Sequence, residues 1–274
     1  MIPAPFEFVR ADDASSALAA LASYGDEAKL LAGGQSLLPL MKLRLATPAV
    51  VVDVSRASDL AYVREDGADL AIGALTRHRD LTTAPLVREH APLLGRAAGQ
   101  VGDPQVRHRG TIGGTVAHAD PSADIPAALL ALGASYVVRG PSGERVVPAG
   151  DFATGFLETV LSPDELLVEV RVPKATGAGW GYEKFTRRAI DWATVAVAVQ
   201  IRDGETAVAL ANMGPTVLRA AATEASLASG SSAADAAAQA DEGTEPAADV
   251  TASADYRRHL ARVLTRRALV AAGR

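Results

Sequence analysis

The stretch LLAGGQSLLPLMK, residues 30–42, holds the key to the fold. The apolar run KLLA (29–32) reads as a short buried strand. It stops at two adjacent glycines, Gly33 and Gly34, followed by Gln35 and Ser36. A second apolar pattern then begins, with Leu37, Leu40, Met41 and Leu45 at helical intervals. Pro39 falls in the first turn of that helix, where its missing N–H does no harm. Strand, glycine pair, hydroxyl residue and helix is an arrangement that can hold an anion. Glycine reaches positive φ, so successive backbone N–H groups can point into one concavity with no Cβ in the way. Ser36 is placed to cap the helix, which would set a helix N-terminus beside the bound charge. Taken singly, a Gly-Gly pair marks a tight turn.

The pattern recurs. RGTIGGTVAHADPSAD (109–124) contains Thr111, Ile112, Gly113, Gly114 and Thr115, 80 residues beyond the first pair. Asp124 precedes the apolar run IPAALLAL and has the position of an ordinary N-cap. Two glycine loops with hydroxyls, far apart in the chain, suit the pyrophosphate at the middle of a dinucleotide, gripped from both sides. The Rossmann fingerprint G-x-G-x-x-G after a strand is absent.

Outward from these loops the chain divides by pattern. Residues 14–24 are helical, 49–55 (AVVVDVS) form a strand, and residues 1–55 read as a small α/β unit. A strand follows over 69–76, then helical segments broken at Pro85 and Pro92, then a β-hairpin over 134–152. ELLVEVRVP (165–173) alternates apolar and charged residues, which predicts a half-buried strand. KATGAGWG (174–181) is the candidate linker. Beyond it YEKFTRR and DWATVAVAVQI are strand-like, and Arg202-Asp203-Gly204-Glu205 signals a tight turn. LRAAATEASLAS is helical, 230–254 is a loose helix plus loop, and a last helix runs from about Tyr256 to Ala272.

The 274 residues carry 27 basic and 32 acidic side chains, a net charge of −5, and no cysteine. That length suffices to bury about 70–75% of the unfolded surface without staples. Lack of cysteine excludes disulfides, thiolate zinc sites and iron–sulfur clusters in this chain. Bulk charge does not suggest a nucleic-acid binder, and no metal spacing links the five histidines. No export signal or membrane-length apolar run is visible, so a cytoplasmic location is expected.

LLAGGQS followed by LPLMKLRL, with RHRGTIGGT and HADPSAD downstream, resembles the medium, FAD-binding subunit of the molybdenum hydroxylases, the family of aerobic carbon monoxide dehydrogenase and xanthine dehydrogenase. YEKFTRRAIDWATVAVAV and ASADYRRHLARVLTRRAL are similar to that family's C-terminal domain, so the resemblance covers nearly the whole chain. It implies an α+β fold: a two-part FAD-binding domain of the p-cresol methylhydroxylase type (1–176, subdomains about 1–55 and 56–176), then a smaller α+β domain (177–274). Ala32, Gly33, Gly34, Gln35 and Ser36 match the family segment that holds the FAD pyrophosphate, together with Thr111, Ile112, Gly113, Gly114 and Thr115. Asp124 matches an acid on the adenosine side, and Leu167 and Lys184 match residues near the flavin. Gln35 stands where many relatives have His, and Thr115 where many have Asp or Asn.

Other residues leave alternatives open. Lys184 suits either a solvated strand edge or a cation near the flavin. Asp191 and Trp192 fit either a turn and a core aromatic, or a tryptophan shielding the isoalloxazine. Arg107, His108 and Arg109 form either a solvated turn or a source of positive potential for the pyrophosphate. Arg257, Arg258, Arg262, Arg266 and Arg267 mark the polar face of the last helix, or a docking face for an acidic partner. The resemblance implies electron transfer through non-covalent FAD, from [2Fe–2S] clusters of a small partner subunit to an external acceptor. A large partner subunit would carry the molybdenum cofactor, in a dimer of heterotrimers. A self-sufficient flavin oxidase or dehydrogenase and a non-enzymatic interaction module are the alternatives.

Overall fold

The structure, a computed structural model, describes residues 2–274. Its first sheet is parallel: β1 (Glu7–Arg10), β3 (Val50–Asp53) and β2 (Ala28–Leu31), in that order. Helix α1 (Ala14–Tyr24) connects β1 to β2, and α2 (Leu37–Lys42) follows β2. Asp13 starts α1 through a capping box with Ser16, its carboxylate accepting the Ser16 N–H at 2.7 Å. Val50, Val52 and Val54 bury against Ala14, Ala17 and Leu21, in a core shared with Val137, Leu166 and Val168 of the second sheet.

The second sheet is antiparallel, ordered β4 (Val63–Asp66), β5 (Asp69–Gly73), β10 (Leu166–Pro173), β6 (Ser135–Gly140) and β7 (Gly143–Pro148). Between β5 and β6 run six helices: α3 (His78–Thr83), α4 (Pro85–His90), α5 (Pro92–Gln100), α6 (Pro104–Arg109), α7 (Ile112–His118) and α8 (Asp124–Leu132). Pro85, Pro92 and Pro104 each occupy the first turn of a helix, so the chain is cut into short pieces, at Pro85 and Pro92 as the pattern predicted and at Pro104 besides. Every residue of α8 is buried. Helix α9 (Ala149–Phe152) and a two-stranded hairpin, β8 (Ala153–Gly155) and β9 (Glu158–Thr159), lead into β10.

Strand β10 corrects the half-buried expectation. It lies at the centre of its sheet, and only Arg171 and Pro173 reach partial exposure. Its charges survive burial through partners: Glu169 accepts from Tyr62 Oη at 2.7 Å, Arg64 at 3.0 Å and Arg171 at 2.8 Å. Alternation in the sequence thus marked a buried carboxylate, Glu169, paired with Arg64 and Arg171, whose side chains still reach solvent.

The third sheet is antiparallel, β11 (Trp180–Phe185), β12 (Val195–Arg202), β13 (Glu205–Ala211) and β14 (Leu218–Arg219), backed by α10 (Ala221–Ala228), α11 (Ala233–Ala237) and α12 (Ala254–Ala271). Asp203 and Gly204 both take positive φ in the β12–β13 turn, as a two-residue hairpin requires. Residues 218–219, expected in a helix, pair with β13 as β14. Gly181 lies under α12 so closely that a Cβ there would meet the Ala268 backbone. Arg257, assigned to the polar face of α12, is 1% exposed. Its guanidinium bonds Asp249 at 2.7 Å and Thr251 at 3.0 Å, and it donates to the Thr194 carbonyl at 2.5 Å.

Candidate cofactor cleft

A cleft of about 800 Å³ opens where the first two sheets meet, with the β11–β12 loop at its rim. One wall is the 32–37 segment. It begins at the carboxyl end of β2, the end at which parallel α/β sheets place ligands. Gly34 has φ +73°, a conformation that favours glycine. The backbone N–H groups of Gly33, Gly34, Gln35 and Ser36 donate to no group among the described residues. Ser36 is the N-cap residue by position, but its hydroxyl accepts no cap hydrogen bond and its backbone is already helical. The expected serine cap is therefore absent, which leaves the hydroxyl free in the cleft wall.

The facing wall is built differently. Residues 110–113 run antiparallel beside 74–78, an extension of β5: His78 N–H donates to the Gly110 carbonyl at 3.0 Å, Ile112 N–H to Thr76 at 3.0 Å and Gly113 N–H to Ala74 at 2.8 Å. Thr111 caps α7, its hydroxyl accepting the Gly114 N–H at 3.1 Å. The N–H groups of the second glycine pair are therefore already engaged. Gly113 is a packing glycine, since a Cβ there would sit 2.8 Å from the Ala74 carbonyl oxygen. Ile112 is fully buried in the main core and does not line the cleft, which corrects its assignment as a cofactor contact.

The two loops meet. A Cβ on Gly33 would stand 2.8 Å from the Gly110 Cα and closer still to the Arg109 carbonyl oxygen. A Cβ on Gly114 would be 3.9 Å from that of Ala32. Ala32 to Ser36, Thr111, Gly113, Gly114, Thr115, Asp124, Leu167 and Trp192 all line the one cleft.

Asp124 is not a cap: Ala123 holds that position, and Asp124 is the first residue of α8. Its carboxylate is engaged on both oxygens, accepting from Tyr182 Oη at 2.5 Å and Lys184 Nζ at 2.9 Å. Lys184 also donates to the Gln100 carbonyl at 3.1 Å. The side chains of Lys184 and Asp124 are 6% and 4% exposed, so Lys184 is neither a solvated edge nor a cleft-lining residue. It stands behind Asp124 and ties β11 to α8. Burial pushes the Asp124 carboxyl up from its ordinary value, with the Lys184 ammonium pulling against it. Burial also drives the Tyr182 hydroxyl well above its usual range.

Trp192 is 55% exposed at the rim, beside Ile190 and Asp191, and so is not a core aromatic. Leu167 lies deep in the cleft wall beside a bulge in β10. Among the contributors that escaped the sequence reading are the 157–166 segment, the 101–106 segment, His118 and His78. Leu157, at positive φ in the β8–β9 turn, carried no motif that could have marked it. His78 sat in a region read only as helical.

The cleft fits a flavin dinucleotide. Its volume lies within the 300–1,000 Å³ typical of small-molecule sites. It offers four free backbone donors, two unpartnered hydroxyls at Ser36 and Thr115, and a close glycine crossing that any side chain would fill.

Residues 4–175 match the family model for the FAD binding domain in molybdopterin dehydrogenase, and residues 180–272 match that for the CO dehydrogenase flavoprotein C-terminal domain. This chain belongs to the FAD-binding medium subunits of the molybdenum hydroxylases. It is 45% identical to the carbon monoxide dehydrogenase medium chain of Hydrogenophaga pseudoflava, over 99% of this chain and 98% of that one. It is 38% identical to the 6-hydroxypseudooxynicotine dehydrogenase complex subunit alpha of Paenarthrobacter nicotinovorans, over 99% and 96%. Carbon monoxide dehydrogenase from Hydrogenophaga pseudoflava superimposes with a TM-score of 0.95 at 44% identity, over 99% of this medium subunit and 98% of that chain. Quinoline 2-oxidoreductase from Pseudomonas putida 86 does so with 0.92 at 32%, over 99% and 98%. The α+β fold expected from the resemblance, an FAD-binding part followed by a C-terminal flavoprotein part, is the fold observed. No helix among the described residues is long and apolar enough to cross a membrane.

Proposed function

We propose that this medium subunit holds FAD without a covalent bond in the cleft between residues 1–176, and that residues 177–274 close the cleft with the loop carrying Trp192. The free N–H groups of Gly33 to Ser36 hold the diphosphate, with the Ser36 and Thr115 hydroxyls beside them. Thr111, Gly113 and Gly114 set the facing wall at the right distance, and Asp124 and Leu167 line the adenosine and flavin ends. Lys184 acts through Asp124, keeping that carboxylate in place. The flavin, when bound, supplies redox chemistry: electrons from [2Fe–2S] clusters of a small partner subunit pass through it to an external acceptor. The chain's part is to fix the flavin and to tune it with nearby dipoles and charges. The oxidation itself belongs to a large subunit with molybdenum cofactor, in a cytoplasmic dimer of heterotrimers. The observation that carries this reading is the contact of the Gly33 and Gly110 backbones, which makes one site of two remote loops.

A visible spectrum of the purified chain, before and after acid precipitation, tests the binding mode. Flavin released into the supernatant is expected. Flavin retained in the pellet would point to a tethered, self-sufficient oxidase, and no flavin even after adding FAD would leave an interaction module. Co-purification from the native cell is expected to bring down two further chains, one with molybdenum. A lone flavoprotein turning over a substrate would contradict the assembly.

A further inference from the structure

His78 is 4% exposed, lines the cleft, and has an Nδ1 with no hydrogen-bond partner. Its main chain is tied to Gly110, and the Cδ2–Nε2 side of its ring packs against that residue: a Cβ on Gly110 would lie 2.7 Å from both atoms. Gly33 touches Gly110 Cα as well. The imidazole therefore stands directly behind the crossing of the two glycine loops. Leaving a buried polar atom unpaired is costly, so a leucine would serve packing better. The cleft's charges sharpen the question. Lys29, whose side chain is exposed, is the one Lys or Arg lining it among the described residues, against Asp103, Glu158 and Asp191, while Asp124 and Glu165 also line it but are ion-paired with Lys184 and Arg145. A diphosphate would bring two negative charges into this acidic setting.

We propose that His78 is the proton acceptor coupled to dinucleotide binding: standing behind the glycine crossing and neutral without the dinucleotide, it takes one proton from solvent as the diphosphate seats. This rests on the FAD reading above. Burial first, and the Arg107 charge second, hold the empty-cleft imidazole down at about 4. An adjacent anion favours the charged form and raises it. The charged groups packed around His78 are engaged elsewhere or exposed, which leaves His118, half-buried in the same cleft, as the other imidazole the test must separate from it. Arg107, on α6, is held at the Val101 and Gly102 carbonyls, at 2.8 and 3.2 Å. Also on α6, His108 and Arg109 are exposed. On α3 itself Arg77 donates to the His108 carbonyl, Arg79 lies 3.5 Å from the His108 ring, and Asp80 is exposed. On α4 Arg88 and Glu89 are exposed, and His90 turns to Glu65 and Thr176. On α5 the charge of Arg96 bears on Tyr182. At the start of α6 Asp103 accepts from the Val106 N–H.

Linkage sets the expected signature. Between the empty-cleft and bound values of His78, FAD affinity falls towards tenfold per unit rise in pH, and above the bound value it is flat. The test is titration of FAD into the nucleotide-stripped chain at pH 6.5, in two buffers of different ionisation enthalpy, with Kd followed from pH 5.5 to 8. Wild type is expected to take up close to one proton per FAD. His78→Gln, which can hydrogen-bond but not titrate, is expected to bind with a flat profile and no uptake. His78→Leu should bind at least tenfold more weakly than His78→Gln. Binding by wild type without proton uptake, or the same uptake in His78→Gln, overturns the inference and leaves the FAD reading standing. No binding by wild type overturns that reading instead. Should His78→Gln fail to fold, NMR of the wild-type histidine rings decides: one imidazole titrating near 4 must move upward when FAD is added, and an unmoved ring defeats the proposal.

Discussion

The two glycine loops share a motif but hold the cleft by opposite means. In the first, Gly33 and Gly34 leave four successive N–H groups without a partner. In the second, the N–H groups of Gly113 and Gly114 are taken by Ala74 and Thr111, and Gly113 serves to let the Ala74 backbone approach. One loop is a set of donors and the other is a fitted wall. The lesson is that Gly-Gly names a permission and not a role; the role depends on what the neighbouring chain offers.

That contrast can be broken by substitution. The largest effect is expected from Gly33→Ala, whose Cβ must push the Arg109–Gly110 backbone away. FAD affinity should fall at least a hundredfold, read by flavin fluorescence quenching. Gly113→Ala drives a methyl into Ala74 and should destabilise the empty chain by about 1–3 kcal/mol, seen in its urea midpoint, before FAD enters the matter. If the two variants give the same profile, the loops do not differ in kind.

Removing the cation behind the cleft comes next. Lys184→Met leaves Asp124 buried with Tyr182 alone, and losing one partner of a buried pair costs about 3–5 kcal/mol. The expected result is a large drop in midpoint, partly recovered by Lys184→Met with Asp124→Asn. A smaller effect, about 1 kcal/mol, is expected for Thr111→Val through loss of the α7 cap, with Thr111→Ser near wild type.

Acid provides the mildest probe of the second wall. The folded value of His78, about 4, lies below its ordinary 6.5. The unfolded chain therefore binds the extra proton between those values, and stability through this group is complete above 6.5 and declines as pH falls towards 4. Urea midpoints of the empty chain should show that decline, and His78→Gln should lack it.

Much of the fold was legible because local pattern and tertiary role agreed. Pro85 and Pro92 cut the helices where they stand, and Asp203-Gly204 makes its turn from its own conformational freedom. The meeting of the loops was legible through the repeated motif. What escaped depended on distant partners. Gly113 N–H finds Ala74, nearly forty residues away, and Lys184 finds Asp124 across sixty. Arg257 looked like a solvated face because helical spacing cannot reveal that Asp249 and Thr194 wait on that side. His78 carried no motif; only its enclosure and its unpaired nitrogen mark it.

The central claim is that one diphosphate lies where Gly33 and Gly110 touch. A crystal structure of the chain with FAD tests it directly. Diphosphate oxygens within about 3 Å of the N–H groups of Gly33 to Ser36 are predicted, with the 110–115 segment opposite. A diphosphate resting on another surface, with those four N–H groups turned to solvent, would contradict the account.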